Sequence, residues 1–92
     1  MPLFMIERRY LEDLDLAAID AEGIELANDS ADVRWLYSFL SADKRKTYCL
    51  YEAPSVDAIR RAAAMAGLPA DVVTEVVSRV NPDASEVPIP TT

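Results

Sequence analysis

The chain has 92 residues, 51% of them hydrophobic and 27% charged, with a net charge of −7. That length holds one small domain of globular rather than disordered composition. With the charge negative and no basic run longer than Lys44-Arg45-Lys46, nucleic acid is not an expected partner, because polyanion binding needs clustered Lys and Arg.

Leu3 to Arg8 is a short apolar run without a turn residue and reads as a first strand. Both of its faces are apolar, Leu3 and Met5 on one, Phe4 and Ile6 on the other. Charge arrives at Glu7, too early for the apolar region of a signal peptide. No later stretch approaches the ~20 apolar residues of a membrane span, so membrane association is not expected. Asp13 or Asp15 can cap a following helix. Leu16, Ile19, Gly23, Leu26 and Ala27 fall on one stripe of that helix, with Asp20, Glu22 and Glu25 largely off it. Asn28-Asp29-Ser30 closes it.

Val33 to Leu40 reads as a second strand, with Val33, Trp35, Tyr37 and Phe39 on one face and Leu36, Ser38 and Leu40 on the other. A polar turn, Ser41 to Lys46, leads to a third strand from Thr47 to Ala53. The spacing predicts an antiparallel hairpin rich in β-branched and aromatic residues. The turn leaves its register open by one residue, so Cys49 faces either Tyr37 or Ser38. Pro54 stops the strand and Ser55 caps a second helix with Val56, Ile59, Ala63 and Ala66 on its buried stripe. Gly67 and Pro69 end it. Val72 to Val80 is rich in β-branched residues and reads as a fourth strand. Residues 81–92, with Pro82, Pro88 and Pro90, form an extended tail that cannot continue a sheet interior.

The order β-α-β-β-α-β is the split-βαβ pattern of a ferredoxin-like α+β sandwich, a four-stranded antiparallel sheet with two helices on one face. Residues 1–80 make the domain and 81–92 the tail. A sheet with one solvated face should alternate cleanly, yet strands one, two and four are apolar on both faces. A domain this small also buries only roughly two-thirds of the surface of its unfolded chain. A homodimer, sheet against sheet, answers both observations.

The residues that carry chemistry are few. Histidine is absent, which removes the usual neutral-pH acid–base group, the Ser-His and Cys-His pairs and the common zinc sets. Cys49, the only cysteine, is a soft metal ligand or a reactive thiol, or else a small buried hydrophobe. It cannot form an internal disulfide, which points to a reducing compartment, the cytoplasm. Trp35, Tyr37, Cys49 and Tyr51 are the candidates to line a small-molecule pocket, against the alternative of a packed dimer core. Glu7 and Glu52 lie near opposite ends of neighbouring antiparallel strands and read as strand-end charges, with Arg8 and Arg9 as partners for Glu7. Asp13, Asp15, Asp20, Glu22 and Glu25 read as a solvated acidic face rather than a calcium loop.

The motifs Tyr48-Cys49-Leu50-Tyr51-Glu52-Ala53-Pro54, Ile59-Arg60 and Ala66-Gly67-Leu68-Pro69-Ala70 appear in order along the chain. With Glu7-Arg8 and Val33-x-Trp35-Leu36-x-Ser38, they resemble a small bacterial domain-of-unknown-function family. That family is named for a nickel-responsive, nickel-binding actinobacterial protein. The resemblance covers most of residues 3–80 and implies a ferredoxin-like fold, dimers of the α+β-barrel kind and a divalent metal ion such as nickel. On the residues themselves, Cys49 is the only soft metal ligand. The reading that follows is a module binding a small ligand or a metal ion. The alternative is a cofactor-free enzyme on a dimeric α+β barrel, monooxygenase- or isomerase-like, with Tyr37, Tyr48 or Tyr51 as acid and a glutamate or Cys49 as base. A third is an interaction protein without a small ligand.

Overall fold

The structure, a computed structural model, describes residues 1–89. Four strands, β1 (Leu3–Arg9), β2 (Arg34–Leu40), β3 (Lys46–Glu52) and β4 (Val72–Val76), form an antiparallel sheet in the order β2-β3-β1-β4. Helices α1 (Ala21–Ser30) and α2 (Val56–Ala66) pack against each other and cover one face. This is the ferredoxin-like α+β arrangement. The core joins Phe4 and Ile6 of β1 and Cys49 and Tyr51 of β3 to Ala58, Ile59 and Ala62 of α2. Among the described residues no helix is long and apolar enough to cross a membrane.

The second helix follows its capping signals closely, although Val56, expected on its buried stripe, is exposed and Ala58 and Ala62 are buried with Ile59 and Ala63. The Ser55 hydroxyl accepts a hydrogen bond from the Ala58 amide at 3.2 Å, Gly67 closes the helix with φ of 70°, and the Leu68 amide donates to the Ala63 carbonyl at 2.9 Å. A left-handed residue followed by such a bond satisfies carbonyls that the helix end leaves open.

The first helix begins later than its apolar spacing predicts. Asp15 caps only a single 3-10 turn, Leu16–Ala18, and Asp20 caps α1 by accepting from the Gly23 amide at 3.0 Å. A Cβ on residue 23 would stand 2.3 Å from the Asp20 carboxylate, so this glycine makes room for the cap. Leu16 and Ile19 therefore leave the expected stripe, Leu26 is exposed, and the buried positions are Ile24, Ala27 and Asn28.

In β2 the expected face assignment is corrected by a bulge. Trp35 pairs with Tyr51 and Tyr37 with Leu50, so Leu36 is the extra residue. An extra residue reverses the phase of everything after it. Trp35 shares the helix-covered face with Cys49 and Tyr51, whereas Tyr37 and Phe39 turn to the open face with Leu50 and Tyr48. Cys49 stands opposite Ser38, which settles the register.

The fourth strand ends at Val76 rather than Val80. Arg79–Val80 (β5) and Glu86–Val87 (β6) pair as a separate two-stranded ribbon. The stretch read as the start of an extended tail is thus partly a hairpin, closed by a bond from the Asn81 amide to the Ser85 carbonyl at 2.8 Å. Pro82 lies in its turn, where no ladder donor is required. The tail's last residues, 90–92, lie outside the described residues.

The bulge is testable. Deleting Leu36 regularises the β2–β3 ladder while leaving Trp35 and Tyr37 on the faces they now occupy. The deletion variant should unfold cooperatively with an unshifted tryptophan emission maximum; a red-shifted maximum and a non-cooperative transition would show that the bulge does not set the faces.

Candidate functional site

Side chains alternate along a strand, so β1 sends Phe4, Ile6 and Arg8 to the helix-covered face and Leu3, Met5 and Glu7 to the open one. Arg8 follows its two apolar neighbours into the interior and is only 3% exposed. Its Nη1 donates to the Pro69 carbonyl in the loop between α2 and β4, and its Nη2 to the Tyr51 hydroxyl at 3.4 Å. The guanidinium carbon lies 5.7 Å from the centre of the Tyr51 ring, within range of a cation–π contact. Among the described residues no carboxylate comes within 4.0 Å of this guanidinium.

The expected pairing of Arg8 with Glu7 does not form, since adjacent strand residues point to opposite faces. Glu7 pairs instead with Arg9 at 3.0 Å and Lys46 at 3.8 Å. Glu52 pairs with Arg34 at 3.3 Å. Glu52 is opposite Leu3 while Glu7 is opposite Tyr48. Four residues of strand, roughly 13 Å, therefore separate the two carboxylates.

Between the inner face of the sheet and its cover lies a cavity of about 200 Å³. Its floor is Arg8, Thr47, Cys49 and Tyr51, with Trp35, Ser38 and Leu40 along the β2 side. Its roof is Ile24 of α1, the preceding residues Leu14, Leu16 and Ile19, and Leu68 after α2. The roof exists because Asp20, not Asp15, starts the helix: the apolar residues left in the loop fold over the sheet.

The polar groups of the cavity are mutually arranged. The Trp35 indole N–H donates to the Ser38 hydroxyl at 2.8 Å, and the indole stacks on Tyr51 with ring centres 6.3 Å apart and planes 10° from parallel. The Thr47 hydroxyl is 3.5 Å from the Cys49 sulfur and 3.4 Å from the Tyr10 hydroxyl. Burial pushes the Tyr51 phenol above its usual pKa, with the Arg8 charge opposing that rise. Tyr51 therefore stays a neutral hydroxyl through the physiological range. Of the lining residues only Arg8 carries a formal charge, and none is a carboxylate.

Three of the four residues picked from sequence, Trp35, Cys49 and Tyr51, meet at this cavity. Tyr37 does not: the bulge puts it on the open face, edge-on to Phe39 at 5.8 Å. Sequence reasoning passed over Arg8, Ser38 and Thr47. A charged residue continuing the Phe4, Ile6 alternation was the signal for Arg8.

The residues present do not fit a resident metal ion. No three of His, Cys, Asp and Glu come together among the described residues. The thiol of Cys49 is buried beside a hydroxyl. Nickel(II) suits imidazole or several soft donors, and neither is supplied. Of the acidic residues before α1, Asp15 and Asp20 serve as caps and Asp13 pairs with Arg45 at 3.0 Å.

The protein-family model described as "Nickel responsive protein SCO4226-like" matches residues 4–76. The fold is similar to the crystal structure of SCO4226 from Streptomyces coelicolor A3(2), with a TM-score of 0.71 and 24% sequence identity. The match covers 80% of this chain and 94% of that one. A search of curated proteins finds no match.

The raised Tyr51 pKa has a sign that can be checked. A phenol harder to ionise when folded stabilises the fold fully below its unfolded value of about 10, and that contribution is lost as pH rises through the folded value. The stability difference between the wild type and Tyr51→Phe, measured by urea unfolding, should therefore shrink or reverse above pH ~10. A pH-independent difference would contradict burial of the hydroxyl.

Proposed function

The chain belongs to the SCO4226-like family of nickel-responsive proteins, and on that premise we propose that it is a non-catalytic module that binds a small organic ligand between sheet and helices. The observation that carries this reading is the cavity of about 200 Å³, with an apolar wall and a few convergent polar groups. Small-molecule sites have that composition. The volume sets the scale: a cavity of roughly 150 Å³ holds benzene, so the ligand is of that order and smaller than a drug-sized molecule. A cytoplasmic setting, where a lone thiol stays reduced, suits Cys49 in the floor.

Two finer readings are weaker on the same observations. An acid–base enzyme in this cavity would have Tyr51 as acid; no carboxylate lines the cavity, so the base would have to be Cys49, whose thiol is buried beside the Thr47 hydroxyl. Nickel held by this chain would rest on Cys49 alone. Titrating the purified protein with nickel(II) should give no thiolate-to-metal absorption band and no thermal stabilisation beyond that given by magnesium. A saturable band lost in Cys49→Ser would establish a metal site and displace the proposed reading.

A second copy of the chain is the proposed partner for the open face. Tyr37, Phe39 and Tyr48 are exposed there, Phe39 by 60%, beside the half-buried Leu3 and Met5, with Leu50 already buried among them. The ion pairs Glu7–Lys46 and Arg34–Glu52 bracket this apolar centre at the two ends of the strands. An apolar core with a polar rim is the anatomy of an interface, and a two-fold axis lets one such patch cover itself. Phe39→Asp should convert a sedimenting dimer to monomer with little loss of monomer stability; a wild type that sediments as monomer would remove the dimer from the account.

The cavity reading is tested by chemical-shift mapping with a library of small organic compounds. Binders should move the Trp35 indole N–H and the amides of Thr47, Cys49 and Tyr51 together. A library that leaves these signals unmoved would overturn the reading.

A further inference from the structure

The geometry points to a small organic acid as the ligand, its carboxylate held by Arg8 and its apolar body lying along Trp35 and the leucine and isoleucine roof. This deepens the proposed binding function and rests on it. A guanidinium out of water needs a compensating anion or a full set of acceptors. Among the described residues this one, 3% exposed, has no carboxylate within 4.0 Å and only two acceptors, although no fully buried side-chain nitrogen lacks a partner. It has five N–H donors. One goes to the Pro69 carbonyl and one to the Tyr51 hydroxyl, leaving three of the five.

The two acceptors it has are neutral, and the Tyr51 ring supplies only its quadrupole. A net positive charge therefore stands in the cavity wall with no negative charge beside it. The nearby carboxylates are turned away: Glu7, next in sequence, is held on the opposite face by Arg9 and Lys46, and Asp71 accepts from the Arg9 amide at 2.7 Å. A ligand carboxylate would complete the site. It can take the free N–H groups of the planar guanidinium, which match carboxylate geometry, and a further bond from the neutral hydroxyl of Thr47 or Tyr51.

The rest of the cavity decides against a bare inorganic anion. Leu14, Ile19, Ile24 and Leu68 line the side facing the sheet, and they have nothing to offer phosphate or sulfate. They match the hydrocarbon part of an aromatic or short branched acid. The same wall, with its single positive charge, disfavours an amine of equal size.

Benzoate is the probe, with benzamide and benzylamine as neutral and cationic counterparts of similar size, each titrated into the full chain while the Trp35 indole N–H and the Thr47 and Tyr51 amides are followed by NMR. Benzoate should bind more than tenfold tighter than benzamide, with no saturable shift from benzylamine. Arg8→Gln should remove that preference and Arg8→Lys retain part of it. Tyr51→Phe, which leaves the guanidinium in place, should keep the preference at lower affinity if either arginine variant fails to fold. Equal binding of benzoate and benzamide at these signals would overturn the organic-acid assignment while leaving the cavity reading intact. Absence of any cavity response to all three probes would overturn the assignment, and if the wider library is also silent the binding reading falls with it. Inorganic phosphate moving the same signals as strongly as benzoate would overturn the role given to the apolar wall.

Discussion

Desolvating a guanidinium costs several kcal/mol unless the surroundings compensate, and a sheet-and-helix domain of this size has little stability to spare. The inward turn of Arg8 is therefore the constraint around which the structure is arranged. β1 is one of the two central strands, bonded to β3 and β4, so its side-chain alternation fixes the position of Arg8 between sheet and helices. The α2–β4 loop brings the Pro69 carbonyl to it, and β3 places the Tyr51 ring and hydroxyl against it. Tyr51 in turn carries the stacked Trp35. One charged side chain thereby links the loop after α2, the central pair of strands and the β2 edge.

The same arrangement explains why the cavity is there. Alanines on α2, among them Ala58, Ala62 and Ala63, let that helix sit close over Phe4 and Ile6, and this half of the interior is filled. Toward Arg8 the cover changes from helix to the loop Leu14–Ile19, whose residues span the gap without filling it. A bulky inward aromatic at residue 37 would occupy part of this space. The bulge at Leu36 turns Tyr37 outward and leaves Ser38, a small hydroxyl, facing Cys49.

Much of the fold was legible from the chain because its signals were strong and local. Ser55 with Gly67 bounds the second helix, and the aromatic, β-branched runs on either side of residues 41–46 mark the hairpin. Features set by competition were not legible. Asp13, Asp15 and Asp20 all carry capping chemistry, and only the fit of Gly23 beneath the Asp20 carboxylate decides among them. The bulge has no glycine or proline to announce it, so plain alternation puts Tyr37 with Trp35. Of the site, the aromatic and thiol members stand out by type, whereas Arg8 reads as a partner of its sequence neighbour Glu7. Strict alternation from Phe4 and Ile6 placed it inside, but a surface ion pair is the commoner fate of an arginine at a strand end.

Arg8 is charged, buried and held by neutral acceptors. Nitrogen-15 NMR of the arginine side chains reads this directly. Arg8 should show resolved, slowly rotating Nη groups and N–H protons protected from exchange, unlike the exposed Arg61 of α2. A single averaged, rapidly exchanging Arg8 signal, like that of a solvated side chain, would contradict it.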